Sequence, residues 1–143
     1  MAKVVEKGGK IGMRGCKVTI TTVADGQENT IIRDGEAELG IGEITVKYRE
    51  ENADIVLRLT GNRAEIERVG DYSLSLALEE GAVCEGRIGL GDSYGSVQTL
   101  AHKVAYVVRK DAVMLSLHYD LIFGEEPQTV KLRLLARFIG GTA

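Results

Sequence analysis

The stretch Ala112–Phe123, AVMLSLHYDLIF, decides the fold because an apolar side chain occupies every second position in it. The odd-numbered positions form an unbroken apolar row, whereas the even-numbered ones include Ser116, His118 and Asp120. Successive side chains of a β-strand point to opposite faces of its sheet. The period of two therefore predicts a strand with one face in a core and the other mostly in water.

The same alternation extends over most of the chain, and glycine or acidic turn clusters interrupt it about every eight to twelve residues. This spacing predicts about ten antiparallel strands joined by sequential hairpins. A sheet of that length with one apolar face rarely stays open, because closure removes its unpaired edges. We therefore expect an all-β protein, a closed antiparallel up-and-down barrel over residues 16–139. Residues 1–15 would form a flexible basic N-terminal tail, and residues 140–143 a C-terminal tail.

Turn chemistry predicts several registers. The dipeptide Gly-Asn between two apolar runs is typical of a two-residue hairpin loop, which would place Leu59 opposite Ala64 and Leu57 opposite Ile66. An EEG loop would pair Leu76 with Cys84, and a KD turn would pair His102 with Tyr119. The last hairpin would bring Asp120 opposite Arg133 on the outer surface.

One segment allows two readings. In residues 96–108 the apolar side chains fit a helical stripe as well as a strand. The many β-branched and aromatic residues favour a strand, and a helix is the alternative.

Composition excludes several classes of function. The chain has 143 residues, the length of one domain, and its net charge of -3 does not suggest nucleic acid as a partner. Cys16 and Cys84 are the only cysteines and lie far apart, which is not the pattern of a disulfide framework or a zinc site. No run of about 18 apolar residues predicts a membrane span, and no signal peptide is recognisable. We expect a cytoplasmic protein with no cofactor and no metal.

Several short features in a fixed order resemble the YwiB-like domain, a bacterial domain of unknown function. They are VTIT at Val18–Thr21, YREE at Tyr48–Glu51, LEEG at Leu78–Gly81, YGS at Tyr94–Ser96 and LHYDL at Leu117–Leu121. The resemblance would cover residues 16–138. It implies a calycin-like barrel, related in shape to lipocalins, and brings with it no established activity and no catalytic residues.

Five polar residues are predicted to lie on the inner face: Arg33, Tyr48, Cys84, His102 and Tyr119. The candidate ligand-binding residues are Arg33, Glu50, Cys84, His102 and Tyr119. Arg33 would sit opposite Glu50 near one rim, where the two could neutralise each other or hold an anionic head group. His102 opposite Tyr119, with Cys84 on a neighbouring strand, is the one arrangement suited to acid–base or nucleophilic chemistry. No carboxylate is expected to orient the imidazole, so a structural histidine is the simpler interpretation.

Three functions remain open, and a non-enzymatic one is favoured. Ten strands can enclose a cavity, so the first hypothesis is that the barrel interior binds a small amphipathic or apolar ligand. The second is a structural or protein-interaction module whose core is filled by side chains. The third is a hydrolase or isomerase that uses the His102/Tyr119 pair.

Overall fold

A computed structural model describes residues 13–139 and forms a closed barrel of ten antiparallel strands. Each strand pairs with its neighbours in sequence, and β1 pairs with β10 to close the ring. The strands are β1 (Met13–Ala24), β2 (Gln27–Gly40), β3 (Glu43–Glu50), β4 (Ala53–Thr60), β5 (Arg63–Gly70), β6 (Ser73–Glu79), β7 (Val83–Leu90), β8 (Ser93–Val108), β9 (Ala112–Ile122) and β10 (Pro127–Phe138). The predicted all-β, up-and-down closed barrel is confirmed.

The ambiguous segment at residues 96–108 is a strand, since it lies within β8. Residues 13–139 contain no helix, and therefore none that could cross a bilayer. The first strand begins at Met13, whereas the barrel was predicted to begin at Cys16. Most of the predicted N-terminal tail and the whole predicted C-terminal tail lie outside the described residues.

The hairpin between β4 and β5 has the predicted register. Leu57 pairs with Ile66 and Leu59 pairs with Ala64, so the buried faces of both strands coincide. All four side chains are at most 7% exposed. The two-residue turn fixes this register because any slip by one residue would turn every apolar side chain toward water.

Two long strands, β8 and β2, change their pairing partner along their length, at points that we call corners. The pairing of β8 changes from β7, along residues 93–100, to β9, along residues 98–108. In the same way β2 pairs with β1 over most of its length but with β3 only from Gly35 onward. Gly35 allows this second corner because a Cβ there would overlap the carbonyl oxygen of Lys47.

Leucine and valine side chains fill the centre of the barrel. Those buried to 2% exposure or less include Leu57, Leu59, Leu78, Leu117, Leu134, Val18, Val46 and Val113. They come from six strands around the ring and belong to one continuous cluster. The apolar rows predicted from the alternation therefore meet in a single core.

The predicted pairing of Leu76 with Cys84 is wrong. The ladder between β6 and β7 contains only three pairs, which join residues 73–75 to residues 87–89. The loop after β6 turns toward β8 instead, and the Gly81 N–H donates to the carbonyl oxygen of Ala101 at 2.9 Å. Where the ladder ends, the buried Thr99 hydroxyl donates to the carbonyl oxygen of Ala77 at 2.6 Å. Cys84 lies opposite Thr99, half-buried on the inner face.

The predicted contact between Asp120 and Arg133 is also wrong. In the ladder between β9 and β10, Asp120 pairs with Thr129 and Arg133 pairs with Ser116. Because β10 begins at Pro127, the loop between β9 and β10 is shorter than predicted. The register between these two strands therefore differs from the predicted one by four residues. A strand accepts proline at its first position because no ladder donor is needed there.

Candidate functional site

His102 and Tyr119 do not face each other. A register shift between Ala101 and Lys103 leaves His102 as the extra residue of a bulge, so Ala101 takes its predicted place opposite Tyr119. His102 is exposed on the outer surface, where its Nε2 lies 3.0 Å from Oδ2 of Asp120. The predicted pair is therefore wrong, and a carboxylate does contact the imidazole.

Tyr119 and Tyr48 lie inside the barrel with no hydrogen-bond partner for their hydroxyl groups among residues 13–139. Their exposed fractions are 6% and 8%. Burial raises the pKa of Tyr119 to about 12. Burial also raises the pKa of Tyr48, and the charges of Glu50 and Tyr119 add to this effect while Arg33 opposes it. Glu50, Arg33 and Tyr119 therefore each lie close enough to act on Tyr48, although Tyr48 and Tyr119 come from strands far apart in the ring.

Arg33 and Glu50 both occupy inner-face positions near one end of the barrel, but they do not form the predicted ion pair. The ladder between β2 and β3 ends at Gly35 and Tyr48, just before the two would meet. Glu50 instead lies 3.8 Å from Nε of Arg68. The Arg33 guanidinium donates to the carbonyl oxygen of Ile32 at 2.9 Å. Within the described part of the chain, no carboxylate forms an ion pair with Arg33.

Arg68 is held firmly beside Glu50. Its side chain is only 12% exposed, and its Nη1 lies 2.8 Å from Oδ1 of Asp71. The same nitrogen donates to the carbonyl oxygen of Tyr72 at 2.8 Å, and the guanidinium lies 3.7 Å from the centre of the Tyr72 ring. This bonding lowers the pKa of Asp71. The charge of Arg68 is thus compensated, which distinguishes it from Arg33.

These residues form what we call the end cluster: Arg33, Tyr48, Glu50, Arg68 and Tyr119. Three of them were predicted as candidate site residues. Tyr48 was expected to face inward but was not assigned to the site, and Arg68 was missed. Its alternation with Ile66 could have indicated its inward position. His102 is on the outer surface, and no hydrogen bond or ion pair within residues 13–139 joins Cys84 to the cluster.

The end cluster presents several hydrogen-bond donors on the inner face. It offers two phenolic hydroxyls and an uncompensated guanidinium, all of which donate hydrogen bonds. Across residues 13–139 no group of three histidine, cysteine, aspartate or glutamate side chains is arranged to hold a metal ion. The cluster contains no nucleophile next to a base.

The fold and this cluster define a class: a closed ten-stranded antiparallel barrel with several polar side chains on its inner face. Within that class, the chain is similar in structure to the YwiB protein from Bacillus subtilis, with a TM-score of 0.77 and 14% sequence identity. The match covers 91% of this chain and 94% of that one. At this identity it shows the fold alone, and for the fold it confirms the resemblance found in the sequence. No protein-family model and no curated protein matches the sequence.

Proposed function

We propose that the protein binds a small amphipathic carboxylate whose head group sits in the end cluster. The observation that supports this proposal is the pair of buried hydroxyls, on Tyr48 and Tyr119, that lack a partner beside an arginine without a carboxylate. Buried polar groups in folded proteins are nearly always hydrogen-bonded, so each exception calls for a partner such as a ligand or an ordered water.

A carboxylate matches these donors in charge and in number. It can accept hydrogen bonds from both phenols, and it compensates the charge of Arg33. Hydrogen bonds to a charged group contribute about 1.5–3 kcal/mol each, roughly twice the contribution of neutral ones. Glu50 does not compete for Arg33, because its carboxylate lies beside Arg68.

The apolar part of the ligand would lie near the rim rather than in the centre of the barrel. The central leucines are buried to 2% or less, so other side chains surround them. Half-buried apolar residues surround the core, and Ile31 is two positions from Arg33 on the same face of β2. This placement changes the first sequence hypothesis by moving the ligand from the interior to one end.

The test is calorimetric titration of the protein with octanoate, and with octanol as a probe without charge. We expect saturable binding of octanoate that Arg33→Gln weakens about tenfold, since one charged contact is lost. Arg137→Gln is the matched control, because Arg137 is exposed on β10. Tyr119→Phe should weaken binding less, and Tyr94→Phe, at an exposed tyrosine, should not change it. Absence of saturable binding, or equal affinity in Arg33→Gln, would refute the proposal.

The filled core favours a second candidate function, a protein-interaction module that acts through its surface. This alternative predicts that neither octanoate nor octanol binds and that substitutions in the end cluster change only stability. The same titrations therefore separate the two candidates.

A further inference from the structure

The outer face of β1, β8, β9 and β10 contains a groove made of two adjoining hollows, each of about 410 Å³. Both hollows are lined by Thr21, Lys103, Ser116 and Arg133. One reaches Met114 and the other reaches His118, which lie on the same face of β9. Four residues of a strand span about 13 Å, so the groove has the length of a small molecule.

One end of this outer groove is basic. Lys103 lies directly opposite His118, and His118 lies directly opposite Lys131, so three basic side chains form a row across three strands. Arg133 is two positions farther along β10 on the same face. In the region from residue 13 to residue 139, no ion pair joins Lys103, Lys131 or Arg133 to a carboxylate, so these three cationic side chains can contact a bound anion.

Two acidic side chains lie near this row. Glu28 lines the basic hollow and stands at the far end of the same cross-strand row, since Val23 pairs with both Glu28 and Lys131. Val23 separates Glu28 from Lys131, and no ion pair within residues 13–139 joins the two. Asp120 already accepts hydrogen bonds from His102 at 3.0 Å and from the Thr129 hydroxyl at 2.9 Å.

The other end of the outer groove is apolar. Val107 is 51% exposed and Met114 is 44% exposed, and these two residues line the hollow together with Leu135. The hydroxyls of Ser116 and Thr21 lie between the apolar and basic ends. Exposed apolar side chains next to uncompensated charge are typical of surfaces that bind an amphipathic partner.

We propose that the outer groove binds a small phosphomonoester that carries an apolar group. The phosphate, with a charge near -2, would lie over Lys103, His118 and Lys131, because several cations match a dianion better than a single carboxylate. The apolar group would cover Val107 and Met114. The site lies on the outer face and shares no residue with the end cluster, so it does not depend on the function proposed above.

The experiment uses octyl phosphate below its micellar concentration, with octanol and inorganic phosphate as partial probes. The chain has only two histidines, so each imidazole proton can be followed by NMR. The two rings lie 4.9 Å apart, and both should respond. Octyl phosphate should shift the His118 signal more than that of His102 and should bind at least about tenfold more tightly than either partial probe.

Charge reversal locates the binding site. Lys131→Glu should weaken octyl phosphate binding by about tenfold or more, whereas Lys47→Glu should change it less than about twofold. Lys47 is an exposed residue of β3 outside the groove, so both variants carry the same net charge. The proposal would be overturned if both variants weakened binding equally or if octyl phosphate did not shift the His118 signal. It would also be overturned if inorganic phosphate or octanol bound as tightly as octyl phosphate. Loss of binding in Arg33→Gln would also overturn it, because the ligand would then occupy the end cluster.

Discussion

Tyr119 and His102 lie near each other on neighbouring strands, yet they are in opposite environments. Tyr119 pairs with Ala101 and points into the core, where its hydroxyl has no partner among the described residues. His102 is the next residue after Ala101, and it lies outside in contact with Asp120. The bulge between Ala101 and Lys103 separates them. The comparison teaches that one extra residue in a strand decides whether a polar side chain lies in the core or reaches a partner on the outer surface.

The largest expected effect is a difference in the free energy of unfolding between substitutions on the inner and outer faces of β9. Leu117→Ala should lower the free energy of unfolding by about 2–5 kcal/mol, because it opens a cavity beside fully buried leucines. His118→Ala, one residue farther on and facing outward, should change it by less than about 0.5 kcal/mol. Urea denaturation of both variants measures the difference. Similar losses in the two would mean that the faces of β9 are not assigned correctly.

A smaller effect concerns the buried hydroxyl of Tyr119. The folded protein keeps the phenolic proton up to a pKa of about 12, whereas an unfolded chain releases it at the ordinary value of 10.0. The free energy of unfolding should therefore fall as the pH rises from 10 toward 12, by at most about 1.4 kcal/mol per pH unit from this group. In Tyr119→Phe this contribution disappears, and stability at neutral pH should change by less than about 1 kcal/mol. Parallel pH curves for the two proteins would contradict the expectation.

The smallest effect concerns the hydrogen bonds outside the barrel. Hydrogen bonds from His102 and Thr129 hold the pKa of Asp120 below its ordinary value of 3.8. A carboxyl with a lowered pKa stabilises the folded state above its ordinary pKa, and this stabilisation is lost as the pH falls through the lowered value. Asp120→Asn should therefore be less stable by about 0.5–1 kcal/mol near pH 6. The gap should close under strongly acidic conditions, and a gap that stays constant with pH would argue against the assignment.

The sequence was sufficient for the faces of most strand residues and for the Gly-Asn turn, because alternation and turn chemistry are local properties. The register of β4 and β5 followed from the Gly-Asn turn. The bulge at His102 could not be predicted, since one extra residue in a long strand leaves no signal in composition. The ladder between β6 and β7 is short because the loop after β6 contacts β8, and the residues that make this contact are distant in sequence. Local patterns could not predict it.

The residues of the candidate site also differ in whether local sequence patterns could place them. Arg33 and Tyr119 could be placed inside from alternation alone. The partner of Glu50 could not, because Arg68 is supplied by β5, two strands away in the ring. The basic row of the outer groove needed the register of β9 and β10, which depends on where Pro127 begins its strand.

The corner in β8 also bears on solubility. Within residues 13–139, residues 103–108 pair after the bulge with β9 along one edge and with no strand along the other. Glu80 covers the start of this edge, since its Oε1 accepts a hydrogen bond from the Val104 N–H at 2.8 Å. A charged side chain on an unpaired edge is a common defence against edge-to-edge aggregation. A loop residue that looks like a mere turn former in the sequence thus helps to keep copies of the barrel apart.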